Sequence, residues 1–351
     1  MAYSSITKPS LHFNTKLYTG NGSTNAISSV GHQPDLVWLK ERSSAGAGLL
    51  FDAVRTATKF VRSSDSAAEV TAADTLTAFN SDGFTLGADA SNYAANQNSE
   101  TYASWNWKAG GGQGSSNTDG SINTTHTSVN TTSGFSISSY TGTGSAATVG
   151  HGLGVLPSMI IIKSRSKSGQ NWITWHKAFT GNNEYVELNT TDAKDTYDMI
   201  DNTSNTTSVF AISGDGNVNE SSATYVAYCF AEKKGYSKFG SYTGNGSDNG
   251  TFVYTGFKPA FGIVKCSSHA GESWWIGDNK RPGYNVSQKA LLAESNAAEV
   301  DASYQAVDFL SNGIKWRGTN DRVNASGKTY IFMAFAESPF VGSNFVPNNA
   351  R

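Results

Sequence analysis

Apolar and polar residues alternate from Phe135 to Tyr140 (Phe-Ser-Ile-Ser-Ser-Tyr), the period-two signature of a strand with one buried face. Other runs are apolar at consecutive positions. Leu36 to Leu39, Met159 to Ile162, and the stretch through Phe261, Ile263 and Val264 are short, and they predict strands covered on both faces. Tyr225 to Phe230 and Tyr330 to Phe335 predict a second kind of core strand. Asp-Gly between Phe79 and Phe84, and Asn-Gly between Phe309 and Ile314, predict hairpins, whereas the corresponding stretch from Thr203 to Ser208 lacks the glycine. Alanines in 66–79 and 287–309 add helical character, enough for one short helix in each unit.

These elements recur. Tyr-Thr-Gly-Asn-Gly-Ser at Tyr18 to Ser23 returns at Tyr242 to Ser247, and with Thr in fourth place at Tyr140 to Ser145. A proline then precedes a lysine by six positions across the apolar run: Pro34 and Lys40, Pro157 and Lys163, Pro259 and Lys265. An aromatic patch follows, ending at Asp52, His176 and Asp278. An asparagine five residues before a Thr-Tyr pair closes each copy: Asn96, Asn219 and Asn324. From opening Tyr to closing Thr the spans are 83 (18 to 101), 84 (140 to 224) and 87 residues (242 to 329). A period near 100 residues suits a small domain with its own core rather than a solenoid repeat. The expected fold is all-β: three tandem homologous β-sandwich units of about 100 residues, with six or seven strands each. The units are placed at 1–108, 133–236 and 237–338. A Gly/Ser/Asn linker, flexible or lying extended on a neighbour, is placed at 109–132, and an extended tail that docks on its own body or on another subunit at 339–351.

Composition agrees with strands and turns. Gly is high at 36 of 351 residues, and charged residues are 15%. The net charge of −2 provides no basic field, so nucleic acid is not an expected partner. Cys229 and Cys266 are too few for a disulfide scaffold and are read as buried thiols. No apolar run is long enough to span a membrane, and the first residues lack the apolar core of a secretory signal. Synthesis in a cytoplasm without membrane insertion is therefore expected.

Candidate chemistry is sparse. His12, His32, His126, His151, His176 and His269 are scattered, so no metal site is expected. Asp215 to Glu220 opens like a calcium loop but has Glu220 where Gly is required and Val226 where a bidentate Glu is required; a polar turn is the expected reading. His32 and His151 follow a Gly in a turn with no nucleophile in the pattern. The third copy has Phe257 near that place. Asp52, His176 and Asp278 supply at most one carboxylate per copy, short of a glycosidase pair. No cofactor motif appears. Trp172, Trp175, Trp274 and Trp275 could stack on sugars or anchor an interface, with core filling as the plainer alternative; Phe340 and Phe345 in the tail are further interface candidates.

Ser5 to Ser10, Phe13 to Ser23, Gln33 to Ser43, Leu50 to Arg55, Trp105 to Gly111, Asn130 to Ser145 and Tyr330 to Phe340 together resemble a family of virion structural proteins in tailed phages of marine bacteria. The resemblance covers nearly the whole chain and implies a tail-fibre-like or capsid-decorating particle component with no catalytic residues. The expected function is thus a non-enzymatic structural protein on the virion surface, made in the host bacterial cytoplasm. It would contact other virion proteins (tail or major capsid protein), form a homo-oligomer or dock on a symmetric shell, and present repeated contacts to a host surface glycan. The alternative is a lectin-like carbohydrate-binding array, which requires exposed Trp pairs.

Overall fold

A computed structural model describes residues 4–341 and 347–348. The chain is all-β and its sheet pairings are antiparallel. Three large sheets follow one another along the sequence. In the first, the strands lie in the spatial order Phe13–Thr19, Thr101–Trp107, Leu36–Glu41, Leu49–Asp52, Lys59–Arg62 and Val70–Thr71. The third repeats that order with Ser237–Thr243, Thr329–Pro339, Phe257–Cys266, Trp275–Asp278, Lys289–Leu292 and Val300–Asp301. The second does so with Phe135–Thr141, Thr224–Phe230, Met159–Ser164, Ile173–His176, Glu184–Glu187 and Asp195–Thr196, and adds His126–Asn130 outside its opening strand. The apolar runs after the prolines thus sit in sheet interiors, and Leu36–Glu41 is buried at every position.

A small sheet covers one face of each large one. In the first, Asn25–Ser28, Gly83–Leu86 and Leu76–Asn80 pair; in the third, Phe252–Tyr254, Gly313–Trp316 and Val307–Leu310. The second small sheet has only Ala147–Gly150 and Val209–Ile212. This is the copy whose hairpin glycine is missing, and 197–208 runs as a loop where the other two have a strand.

Strand alternation divides the side chains between two environments. Val37, Leu39 and Phe51 pack beneath the first small sheet, whereas Leu36, Trp38 and Leu50 face a central core shared by all three large sheets. Trp107, Phe230 and Phe335, each six residues after a closing Thr, form a triangle there, with ring centroids 6.3, 6.1 and 5.8 Å apart. Aromatic contacts of this geometry add to the burial of their own area.

The sequence landmarks have geometric causes. The opening and closing tyrosines stack across strands, Tyr18 on Tyr102 at 4.8 Å, Tyr140 on Tyr225 at 5.1 Å and Tyr242 on Tyr330 at 5.0 Å. Asn96, Asn219 and Asn324 are fully buried, and each holds the glycine turn that follows the opening Tyr. The Asn219 side chain accepts from Thr143 N–H at 2.8 Å and donates to Ser145 O at 2.6 Å and Ser213 O at 2.8 Å. A Cβ on Gly20, Gly142 or Gly244 would lie 2.1–2.3 Å from a carbonyl oxygen of the facing asparagine turn. The next glycine, Gly22, Gly144 or Gly246, takes a left-handed φ of 62–75°.

Three expectations change. Residues 109–132, read as a flexible linker, form the strand His126–Asn130 and bury Ala109 and Ile122 in the central core. Their backbone polar groups are paired, Ile122 N–H with Thr148 O and Thr127 N–H with Ser115 O, which a polar composition does not reveal. The alanine-rich stretches 66–79 and 287–309 form short strands and one 3-10 turn. Among the described residues the α-helix is the single turn Gly216–Asn219, capped by Asp215. The tail, expected to be extended, turns back on itself: Val341 pairs with Pro347, and the Asn348 side chain donates to Pro339 O at 2.6 Å.

Candidate functional site

The residues singled out for recognition are mostly interior. Trp172, Trp175, Trp274 and Trp275 are each no more than 5% exposed, so none offers a ring face to a sugar. Two of them join neighbouring sheets instead. Trp172 Nε1 donates to Arg62 O of the first sheet at 2.8 Å, and Trp274 Nε1 to Glu187 O of the second at 2.9 Å. The third seam has no such tryptophan, because Gly48 stands at that place. There Ser63 Oγ donates to Ala293 O at 2.6 Å. Phe340 is half-buried, its carbonyl accepting from Asn348 N–H, and Phe345 lies outside the described residues.

The charged groups that end the aromatic patches are consumed at these seams. Asp52, wholly buried, receives Arg55 Nε at 2.5 Å and the Tyr228 hydroxyl of the second sheet at 2.7 Å. Asp278, equally buried, receives Arg281 Nε at 2.7 Å and Trp105 Nε1 of the first sheet at 3.1 Å. His176 stands 3.1 Å, through Nε2, from the Phe332 carbonyl of the third sheet. The contacts run from first to second, second to third and third to first, closing a cycle. Burial drives the His176 imidazole down to about 3, so it is neutral and donates.

The lysines that follow the prolines bind the same seams in the opposite sense, first to third, second to first and third to second. Lys40 Nζ donates to Gly46 O at 2.8 Å and to Ser295 O of the third sheet's segment at 2.5 Å. Lys163 reaches Gln170 O and Ser66 O, and Lys265 reaches Glu272 O and Thr191 O. All three are inaccessible, and burial lowers each to about 8. Bidentate pairs lie further out: Arg165 with Glu69, and Arg42 with Glu299. Sequence reading marked the lysines as landmarks but missed this role, because their partners are backbone carbonyls that leave no trace in residue type.

His32 and His151 are buried turn residues, bonded to Ser10 O and to Thr206 O and Leu153 N–H. Burial pushes His32 down to about 4. Both cysteines are buried thiols. Among the described residues no three His, Cys, Asp or Glu side chains converge as metal ligands, and no helix is long and apolar enough to cross a membrane.

One open groove stands apart from the seams. It lies on the outer face of the second small sheet and encloses about 640 Å³. Thr148 and Ala211 pair across its floor, while Val149 and Phe210 turn into the core. Asn182, Asn183, Asp198, Asp201 and Ser204 form one wall, and Ser121 of the 109–132 segment contributes to the other. Sequence reading missed it, although the absent hairpin glycine in 203–208 was its visible mark.

Neither the curated proteins nor the solved structures contain a match to this chain. A family model described as a domain of unknown function (DUF7483) matches residues 8–339, from just before the first strand to the end of the last. The match takes in all three large sheets, and the chain therefore belongs to the DUF7483 family.

Proposed function

We propose that this chain is a non-enzymatic structural protein on the surface of a tailed-phage particle, built from three tandem homologous β-sandwich units closed around one axis. The observation that supports this reading best is the cycle of seam contacts. Asp52, Asp278, His176 and the three lysines that follow the prolines are all engaged in joining one unit to the next, as expected of a body whose task is to hold shape. A body with three like faces fits a position of local threefold symmetry on a particle, as a capsid decoration or as a tail or fibre component. Its partners are then other virion proteins, and it is made in the host cytoplasm before assembly. The resemblance of the sequence to virion proteins of marine phages suggests the particle context, and the seam geometry supports the scaffold role.

A map of purified particles in which this chain is traced tests the proposal. The expected result is density for a three-lobed body on head or tail. Its absence from purified particles, by map and by mass spectrometry of their proteins, overturns the reading.

A further inference from the structure

We infer that the groove on the second small sheet binds a neutral oligosaccharide of hexose or N-acetylhexosamine units. The groove is peculiar to this unit. In the first and third small sheets a third strand, Leu76–Asn80 or Val307–Leu310, completes the layer; in the second, the 197–208 segment forms no strand, holds the Val209–Ile212 edge by the single bridge from Ile200 to Ile212 and a few loop hydrogen bonds, and lines an open groove. The residue facing outward at the Thr148 position is Phe252 in the third unit, whose ring lies over Gly313.

The walls select the class of ligand. The exposed edge of Val209–Ile212 is already closed: Ala211 N–H donates to Asn205 Oδ1, Ala211 O accepts from Asp201 N–H, and Ser213 N–H donates to Met199 O. On the other side Thr148 O accepts from Ile122 N–H, and Thr148 N–H donates to Ser121 Oγ. A peptide therefore finds no strand edge to extend, and recognition falls to side chains. Those side chains are hydroxyls, amides and carboxylates above a floor of methyl groups, the complement of a sugar ring with hydroxyls at its rim and an apolar face. Asp201 is set as an acceptor by Ser204 Oγ and Thr203 Oγ1, each at 2.6 Å, and these bonds hold its carboxyl below the usual range. Asp198 and Asn182 are exposed. No lysine or arginine lines the groove, so sulfated sugars and uronates meet two carboxylates and no cation.

The inference concerns the chain alone and does not depend on the particle assignment, so the two fail separately. The test titrates the purified full chain with chitobiose, cellobiose, maltotriose and lactose, and with a sulfated disaccharide and a diuronate, by calorimetry and ligand-observed NMR. Asp198→Ala, Asn182→Ala and Ala211→Trp are carried through the same series, with folding checked by circular dichroism. Saturable binding of a neutral sugar is expected, weakened at least tenfold by Asp198→Ala or Asn182→Ala and abolished by Ala211→Trp. Asp198→Ala and Asn182→Ala change exposed side chains and keep the test decisive if Ala211→Trp does not fold. No saturable binding across the neutral set, binding indifferent to the wall variants, or tighter binding of the acidic sugars overturns the inference.

Discussion

The hydroxyl of Tyr228 donates to the carboxylate of Asp52 at 2.7 Å across 176 positions of sequence, with neither side chain reached by solvent. Arg55 completes the trio, 3.2 Å from the same hydroxyl. Asp52→Ala leaves the buried Arg55 guanidinium with Glu69, 3.2 Å from its Nη1, as its remaining carboxylate and is expected to cost about 3 kcal/mol. Tyr228→Phe removes one donor to a charged acceptor and is expected to cost about 1.5–3 kcal/mol. Urea unfolding of the two variants checks the order of the losses; equal midpoints for both and for the parent would show that the seam contributes nothing.

His176 occupies the place of Asp52 and Asp278, yet restoring the acid is expected to destabilise. His176→Asp would aim a carboxylate at the Phe332 carbonyl, and Phe179 stands where the other two sheets carry arginine. An unpaired buried charge of this kind costs about 3–5 kcal/mol. A thermal midpoint unchanged from the parent would contradict this account.

The three buried lysines give stability an alkaline rise. Burial holds each near 8 in the folded chain, against 10.5 when free. Between those values the unfolded chain binds more protons, so stability increases with pH across the window. Lys163→Met is expected to flatten that rise by about a third, one of three equal titrations. Urea midpoints from pH 7.5 to 9.5 for parent and variant supply the comparison.

Glu41 works in the opposite direction. Burial and the neighbouring Glu100 carboxylate push it up to about 7, against 4.5 when free. The folded chain binds the extra proton between those values, so stability falls as pH rises through them. Glu41→Gln is expected to raise the urea midpoint at pH 8 relative to the parent and to leave it nearly unchanged at pH 4.5. A variant weaker than the parent at pH 8 would refute the assignment.

All eight tryptophans are at most 5% exposed. Native fluorescence is expected at the short-wavelength end of the tryptophan range, with acrylamide quenching that becomes appreciable only after unfolding. Ready quenching of the native protein would mean that at least one ring is open to solvent.

What could be read from the sequence was whatever the backbone demands of a residue type. Gly20, Gly142 and Gly244 are forced by a carbonyl at contact distance, and Asn96, Asn219 and Asn324 by a turn that needs both donor and acceptor. The all-β class followed from apolar runs flanked by turns. The seams were not legible, because each is built differently: a phenol on a carboxylate, an imidazole on a carbonyl, an indole on a carboxylate. Trp172 and Trp274 illustrate the limit. Their spacing was visible, but the carbonyls of Arg62 and Glu187 that receive them belong to other parts of the chain and carry no side-chain signature. The 109–132 segment failed for a related reason: its polar residues are satisfied by backbone partners, so low hydrophobicity did not mean looseness.

The unlike chemistry of the three seams bears on how the molecule can be made. Copies of the first third would set Asp52 against the indole of Trp105, the pairing that Asp278 already makes, and copies of the middle third would set His176 against a carbonyl of its own closing strand. Copies of the last third would set Asp278 against Met333, which has no proton to give. Covalent continuity is therefore what fixes the order in which three unlike edges meet, and it leaves the outer faces free to differ from one another.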